Sequence, residues 1–259
     1  KTAYEIPKRD WSSDVCSSDL KRHLRLLEMK IQVFLRQCFY SPNQALANRK
    51  RPEWFDKIKV FENLKKTINP ELAQLNILYD EHFGDISETF LSSEENVQII
   101  NCGNEASSFL RTLEIVEGSG FDDDTIIYFL EDDYLHQENW CEILIEAFAL
   151  PIHYVSLYDH LDKYMDYPDL TSKIFHTNSV HWRTVPSTCN TYAAKMGQLR
   201  EDMPIHKHYS AASPDGISMD HSKFVHLGNV GRTLVTPMPG YSTHCDHLRS
   251  PTVNWEKYI

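Results

Sequence analysis

The stretch that most constrains the fold is Ile126-Ile127-Tyr128-Phe129-Leu130, which runs directly into Glu131-Asp132-Asp133 and then Tyr134-Leu135-His136. A run of β-branched, aromatic and aliphatic residues with no polar face predicts a strand buried on both sides, as inside a parallel sheet. Carboxylates packed at the end of such a strand repel one another in a half-buried place, which is costly unless a cation holds them together. In an open α/β sheet that end of a strand is also where ligands bind. Together these point to a metal-bound phosphate ligand. A plainer use of the same acids is a solvated turn, or capping of a helix that follows Gln137-Glu138-Asn139.

Strand and helix signals alternate through the first half. Strands are expected at 31–35, at 75–79 ending in Asp80, at 97–100 and at 126–130. Helical spacing marks 54–68, 105–117 and 138–148. This alternation predicts an α/β domain with a mostly parallel central sheet flanked by helices. The pattern changes after Pro151: a strand at 153–157, polar and aromatic loop at 159–169, paired strands within 173–185, a helix at 193–202, a short helix ending near His226, and a last strand at 233–235. No repeat, low-complexity tract or Pro/Ser linker divides the chain. It therefore reads as one domain, with a nucleotide-binding half over 29–150 and an acceptor-binding half over 151–259.

Composition excludes several classes. The net charge of -11 argues against nucleic-acid binding through a basic surface. No run of about eighteen apolar residues is present to span a membrane, which leaves peripheral membrane association open. Cys38, Cys102, Cys141, Cys189 and Cys245 are widely spaced, with no CxxC pair, against a disulfide framework or a four-Cys zinc site. A reduced, cytoplasmic protein is the expectation. Residues 10–20 resemble the conceptual translation of a sequencing adapter, so 1–28 are read as a non-native leader and 29–259 as the protein proper.

The order of elements, with one strand ending in Asp80 and another in Glu131-Asp132-Asp133, resembles a GT-A glycosyltransferase of the family-2-like kind. That resemblance implies a sugar transferred from a nucleotide-sugar donor, with a UDP-sugar favoured, to a saccharide or glycoconjugate acceptor. It implies inversion at the sugar carbon and a manganese or magnesium ion. The acidic motif matches the family's Asp-x-Asp, with Glu in place of the first Asp. By the match Asp133 is a metal ligand, and Glu131 or Asp132 faces the nucleoside. A hard cation of this kind takes oxygen ligands and neutralises a departing diphosphate. Asp80 matches the nucleobase or ribose contact, and Arg111 a group near the phosphate; a turn-forming Asp and a surface helix Arg are the plainer uses. His244, after the last strand, matches the histidine that completes the metal shell, with His247 as its substitute. For the base that takes the acceptor proton the candidates are Asp220 and Asp215, the latter in a Pro-Asp-Gly turn. Trp182 and Tyr192 could stack on a sugar, although core packing is the commoner use of such rings.

Three other readings compete. A sugar-phosphate nucleotidyltransferase shares the sheet and the metal, but generally has a glycine- and Lys/Arg-rich loop after its first strand. The stretch Arg36-Gln37-Cys38-Phe39-Tyr40-Ser41 has no repeated glycine. A zinc hydrolase could draw on His206, His208, His221, His226, His244, Cys245, Asp246 and His247, although their spacing fits no HExxH pattern. A catalytically inactive carbohydrate-binding domain is the non-enzyme alternative.

Overall fold

The computed structural model describes residues 31–39, 51–211 and 215–259. The proposed leader, 1–28, lies outside the described residues. Strand β1 (Ile31–Cys38) lies between two parallel neighbours, β2 (Ala73–Asp80) and β4 (Ile126–Glu131), and β3 (Val97–Ile100) pairs parallel with β2. Continuous apolar runs suit this placement, because both faces of β1 and β4 are covered. Ile31, Val33, Leu35, Ile126, Tyr128 and Leu130 enter one core cluster, while Phe34, Ile127 and Phe129 enter a second on the opposite face.

Each face is closed by helices whose apolar residues recur at helical spacing. Helix α1 (Lys57–Thr67) and helix α3 (Trp140–Ala147) cover the first face through Phe61, Leu64, Trp140 and Leu144. Helix α2 (Glu105–Glu117), helix α5 (Met196–Ala211) and helix α6 (Asp220–Asn229) cover the second through Phe109, Leu113, Leu199, Phe224 and Leu227. Burying one such side chain contributes about 1.5–3 kcal/mol. The starts of α1 and α2 are fixed by side-chain caps: Asp56 accepts from the Ile58 amide at 2.7 Å and Asn104 from the Ser107 amide at 2.8 Å.

The second half of the chain extends the same sheet. Strand β9 (Tyr192–Lys195) pairs antiparallel with β4, and beyond it come β6 (Tyr154–Val155), β10 (Leu234–Met238), β8 (His181–Thr184) and β7 (Ile174–His176). The order is β3-β2-β1-β4-β9-β6-β10-β8-β7. Both halves therefore form a single α/β domain around one mixed sheet, as expected. A separate two-stranded sheet pairs β5 (Tyr134–His136) with β11 (Ser242–His244), and a short helix α4 (Asp162–Met165) interrupts the loop after β6.

Two boundaries differ from expectation. Residues 193–195 are strand, because this segment pairs with both β4 and β6 and packs Ala193 on one face of the sheet and Ala194 on the other; tertiary pairing overrides the helix preference of alanine. The helix that follows runs on through Pro204 to Ala211. No helix among the described residues is long and apolar enough to cross a membrane.

Candidate functional site

Strands β1, β2 and β3 step outward on one side, and β4 then returns to the other side of β1. The sheet order therefore reverses between β1 and β4, and the crevice beyond their C-terminal ends is the preferred ligand position of such folds. Arg36 and Glu131 sit opposite each other in the register at that point.

A polar cluster grows outward from this pair. The Arg36 guanidinium lies 3.0 Å from Glu131 Oε1 and 3.2 Å from Glu105 Oε1, with Phe109 beneath it at 5.0 Å. Lys57, in the first turn of α1, donates to Asp132 Oδ2 at 2.6 Å and to the Cys38 carbonyl at 2.7 Å. Arg51 donates to Asp133 Oδ2 at 2.5 Å and to the Cys245 carbonyl at 2.9 Å. His244 meets the same Asp133 oxygen at 2.9 Å, and its other ring nitrogen meets Asp246 at 2.7 Å. The small sheet performs this last positioning: β5 continues from the acids and β11 carries His244 back beside them.

Electrostatics follow from burial and pairing. Burial works against charge on His244, but Asp133 and Asp246 outweigh it and hold the imidazole proton up to about 9. With a carboxylate on each ring nitrogen, His244 stands beside Asp133 as a hydrogen-bond donor. Burial pushes the Asp133 carboxyl up, yet the His244 and Arg51 charges overcome it and hold the group far below the usual carboxylate range. Glu131 behaves differently: burial raises it to about 7, Arg36 opposes the rise, and Asp133 and Glu105 add to it.

The other expected site residues fall in three places. Asp80 is buried with both oxygens committed, accepting from the Cys102 amide at 3.0 Å and the Gly103 amide at 3.1 Å. It fixes the 101–103 turn, whose Gly103 has φ +74 and would meet the His82 ring at 2.9 Å if it bore a Cβ. Arg111 is exposed and pairs with Glu114 at 2.9 Å, its charge reaching the Cys102 thiol next to that turn. Asp220 opens α6 and accepts from the His221 amide at 2.7 Å, while Asp215 is exposed. Trp182 and Tyr192 are fully buried, so they pack the core and offer no face to a sugar.

The histidines do not converge on a zinc site. His206 is buried between the Tyr154 and Tyr192 hydroxyls, each at 2.9 Å, while His221 meets Ser187 and His226 meets Tyr209. Among the described residues no group of three or more His, Cys, Asp or Glu is arranged to hold a metal ion. One feature does suit a hard cation: Asp133 Oδ1 is buried and accepts no hydrogen bond among the described residues.

Sequence reasoning missed the cations. Arg36 interrupts the otherwise apolar strand IQVFLRQC, and Arg51 and Lys57 flank the start of α1; a charge inside a buried strand was the available signal. It also missed Lys223, which is buried in α6 under the rings of Phe109 at 4.6 Å and Tyr192 at 4.8 Å, and donates to Asn190. Asn190 in turn donates to Glu105 at 2.9 Å, which joins α6 to the Arg36 cluster.

No family model matches the chain, and no curated protein matches it. Solved structures similar to it include the 4-diphosphocytidyl-2C-methyl-D-erythritol synthase of Anaerococcus prevotii, at 10% identity over 82% of this chain and 89% of that one, with a TM-score of 0.46. A CMP:2-keto-3-deoxy-manno-octonic acid synthetase complexed with CTP aligns at 14% identity over 82% and 92%, with a TM-score of 0.47. A further 4-diphosphocytidyl-2C-methyl-D-erythritol synthase aligns at 11% identity over 80% and 88%, with a TM-score of 0.42. The names are those of two synthases and a synthetase, none of a glycosyltransferase, against the glycosyltransferase expectation. The Asp-x-Asp, manganese and UDP assignments lose their support with it. At the site itself Arg36, Lys57 and Arg51 pair with the three acids Glu131, Asp132 and Asp133. The functional argument rests on this site.

Proposed function

We propose that the chain is a nucleotidyltransferase that joins the nucleotide of a nucleoside triphosphate to a sugar phosphate. The observation that carries this reading is the convergence of Arg36, Arg51 and Lys57 at the switch point of the sheet. Arg51 and Lys57 both follow β1 in the chain, which is where enzymes of this kind keep the basic residues that take the triphosphate. The window 36–41 ended before either of them.

In the reaction a phosphate oxygen of the sugar phosphate attacks the α-phosphorus. The new P–O bond forms as the bond to the β-phosphate oxygen breaks, and pyrophosphate leaves with the electron pair. The attacking oxygen is already anionic, so no side chain has to take a proton, and Asp215 and Asp220 have no base role. Lys57 and Arg51 offer donors to the growing charge on pyrophosphate, while Arg36 is held in place by Glu105 and Glu131. Four cations, Arg36, Arg51, Lys57 and the protonated His244, face five carboxylates, Glu105, Glu131, Asp132, Asp133 and Asp246, so a polyanion needs further positive charge. A hard divalent cation such as magnesium, bound with the triphosphate, would take Asp133 as its protein ligand and neutralise the leaving group.

Calorimetric titration of ATP, GTP, CTP and UTP, with magnesium and with EDTA, tests the reading. One triphosphate is expected to bind tightly and to lose about ten- to a hundredfold in Lys57→Met, the worth of one charge-assisted hydrogen bond. Affinity that ignores Lys57→Met would contradict it.

A further inference from the structure

A cleft of about 280 Å³ opens between Leu161, directly before α4, and the segment 247–256. Its wall is rigid. Ser250 donates from its amide to Thr243 Oγ1 at 2.9 Å and from its hydroxyl to the Ser242 carbonyl at 2.8 Å, and Trp255 donates to the Ser250 carbonyl at 2.9 Å. Thr252, also on the wall, has φ +67, which a β-branched residue adopts only where its surroundings enforce it.

Two residues of the wall lead to the cluster, one along the chain and one through a ring contact. His247 on its wall directly follows Asp246, the partner of His244. Arg249 on the same wall lies over the Trp54 ring at 5.7 Å, and Trp54 belongs to the short segment between Arg51 and Lys57. Among the described residues the Arg249 guanidinium has no carboxylate partner, unlike Arg36 and Arg51. A half-buried arginine that is oriented by an aromatic ring and faces a cavity is equipped to receive a planar pair of anionic oxygens.

We infer that this cleft is the acceptor site, that Arg249 binds the acceptor's phosphate with His247 beside it, and that the acceptor is a monosaccharide phosphate. The inference rests on the nucleotidyltransferase reading. The volume lies just below the roughly 300–1,000 Å³ found for ligand pockets, which suits a single sugar ring over an oligosaccharide. Trp255 is buried beneath the wall, and Asn254 and Glu256 supply polar groups for the ring hydroxyls.

Tryptophan fluorescence tests this, because Trp255 lines the cleft and Trp54 touches Arg249. The probes are inorganic phosphate, glucose 1-phosphate and glucose, and calorimetric binding of nucleoside triphosphate runs in parallel. The two phosphates are expected to bind and glucose alone to leave the signal flat. Arg249→Gln is expected to weaken the phosphates by about tenfold or more, with Arg249→Lys intermediate and triphosphate affinity unchanged. Lys57→Met is expected to do the reverse. Phosphate binding that is indifferent to Arg249→Gln, or absent from a protein that binds triphosphate, overturns the acceptor site. Phosphate binding through Arg249 in a protein that binds no triphosphate would leave the anion site standing and remove the nucleotidyltransferase reading.

Discussion

Replacing Arg36 with methionine should expose how the switch point is held. The guanidinium bridges Glu105 and Glu131 at 3.2 and 3.0 Å and is only 7% exposed. Methionine keeps most of the volume and removes the charge, which leaves two carboxylates facing one another. Glu105 retains the Asn190 amide at 2.9 Å and the Ser218 backbone amide at 2.6 Å, whereas Glu131 retains only the Thr191 hydroxyl at 3.3 Å. Removing one member of a buried ion pair costs about 3–5 kcal/mol. For a domain of this size that is a fall of about 6–20 °C in Tm. Glu131 is the acid left poorest in partners, so it should take up a proton first. The loss should shrink between pH 7 and pH 5, and Arg36→Met/Glu131→Gln should recover more than half of it. Thermal unfolding followed by circular dichroism at both pH values measures each step. A loss under about 1 kcal/mol, small against the range for a broken buried pair, or a double variant no more stable than the single one, would refute the argument.

Three further outcomes are expected. The His244 proton is held to about 9 against an ordinary value near 6.5, so His244 stabilises the fold fully below about pH 6.5 and this contribution is lost as pH rises through 9. Urea unfolding at pH 6, 7.5 and 9 should show a decline of up to about 3 kcal/mol that His244→Gln flattens. Gly240→Ala would place a Cβ 2.6 Å from Ser250 Oγ and 3.0 Å from the Asp159 backbone nitrogen, and should cost about 1–3 kcal/mol in the same assay through overpacking. Trp182→Ala should cost about 3–5 kcal/mol in Tm-derived stability, because Trp182 fills core space and touches no ligand.

The first half of the fold was legible because its signals are local and strong. The apolar runs at 31–35 and 126–130 could hardly be anything but buried strands, and the helix at 105–117 has both an Asn104 cap and a terminal glycine. The second half was less legible. The paired strands β5 and β11 have three residues each, too short for a period to show, and their pairing spans more than a hundred positions. Ala193 and Ala194 carry a helix preference that a slot in the sheet overrides.

The acids at 131–133 were legible as a polar cluster because charge at the end of a buried strand demands an explanation. What neutralises them was not, since Lys57, Arg51 and Arg36 come from separate elements and only the fold brings them within hydrogen-bonding reach. A metal alone was expected to balance these acids, and the side-chain cations beside them were not foreseen. The absence of a glycine-rich loop in the six residues from Arg36 counted against nucleotidyl transfer, although two basic residues of the cluster, Arg51 and Lys57, enter further along the chain.

The most direct test of the account follows the products. The protein is incubated with magnesium, each of the four nucleoside triphosphates and a panel of monosaccharide phosphates, and pyrophosphate and new nucleotide-linked species are measured by enzyme coupling and mass spectrometry. The account predicts pyrophosphate release that depends on the sugar phosphate, with a product whose mass is that of the nucleoside monophosphate joined to the sugar phosphate with loss of water. Release of a nucleoside diphosphate from a nucleotide sugar, with no pyrophosphate formed from any triphosphate, would contradict it.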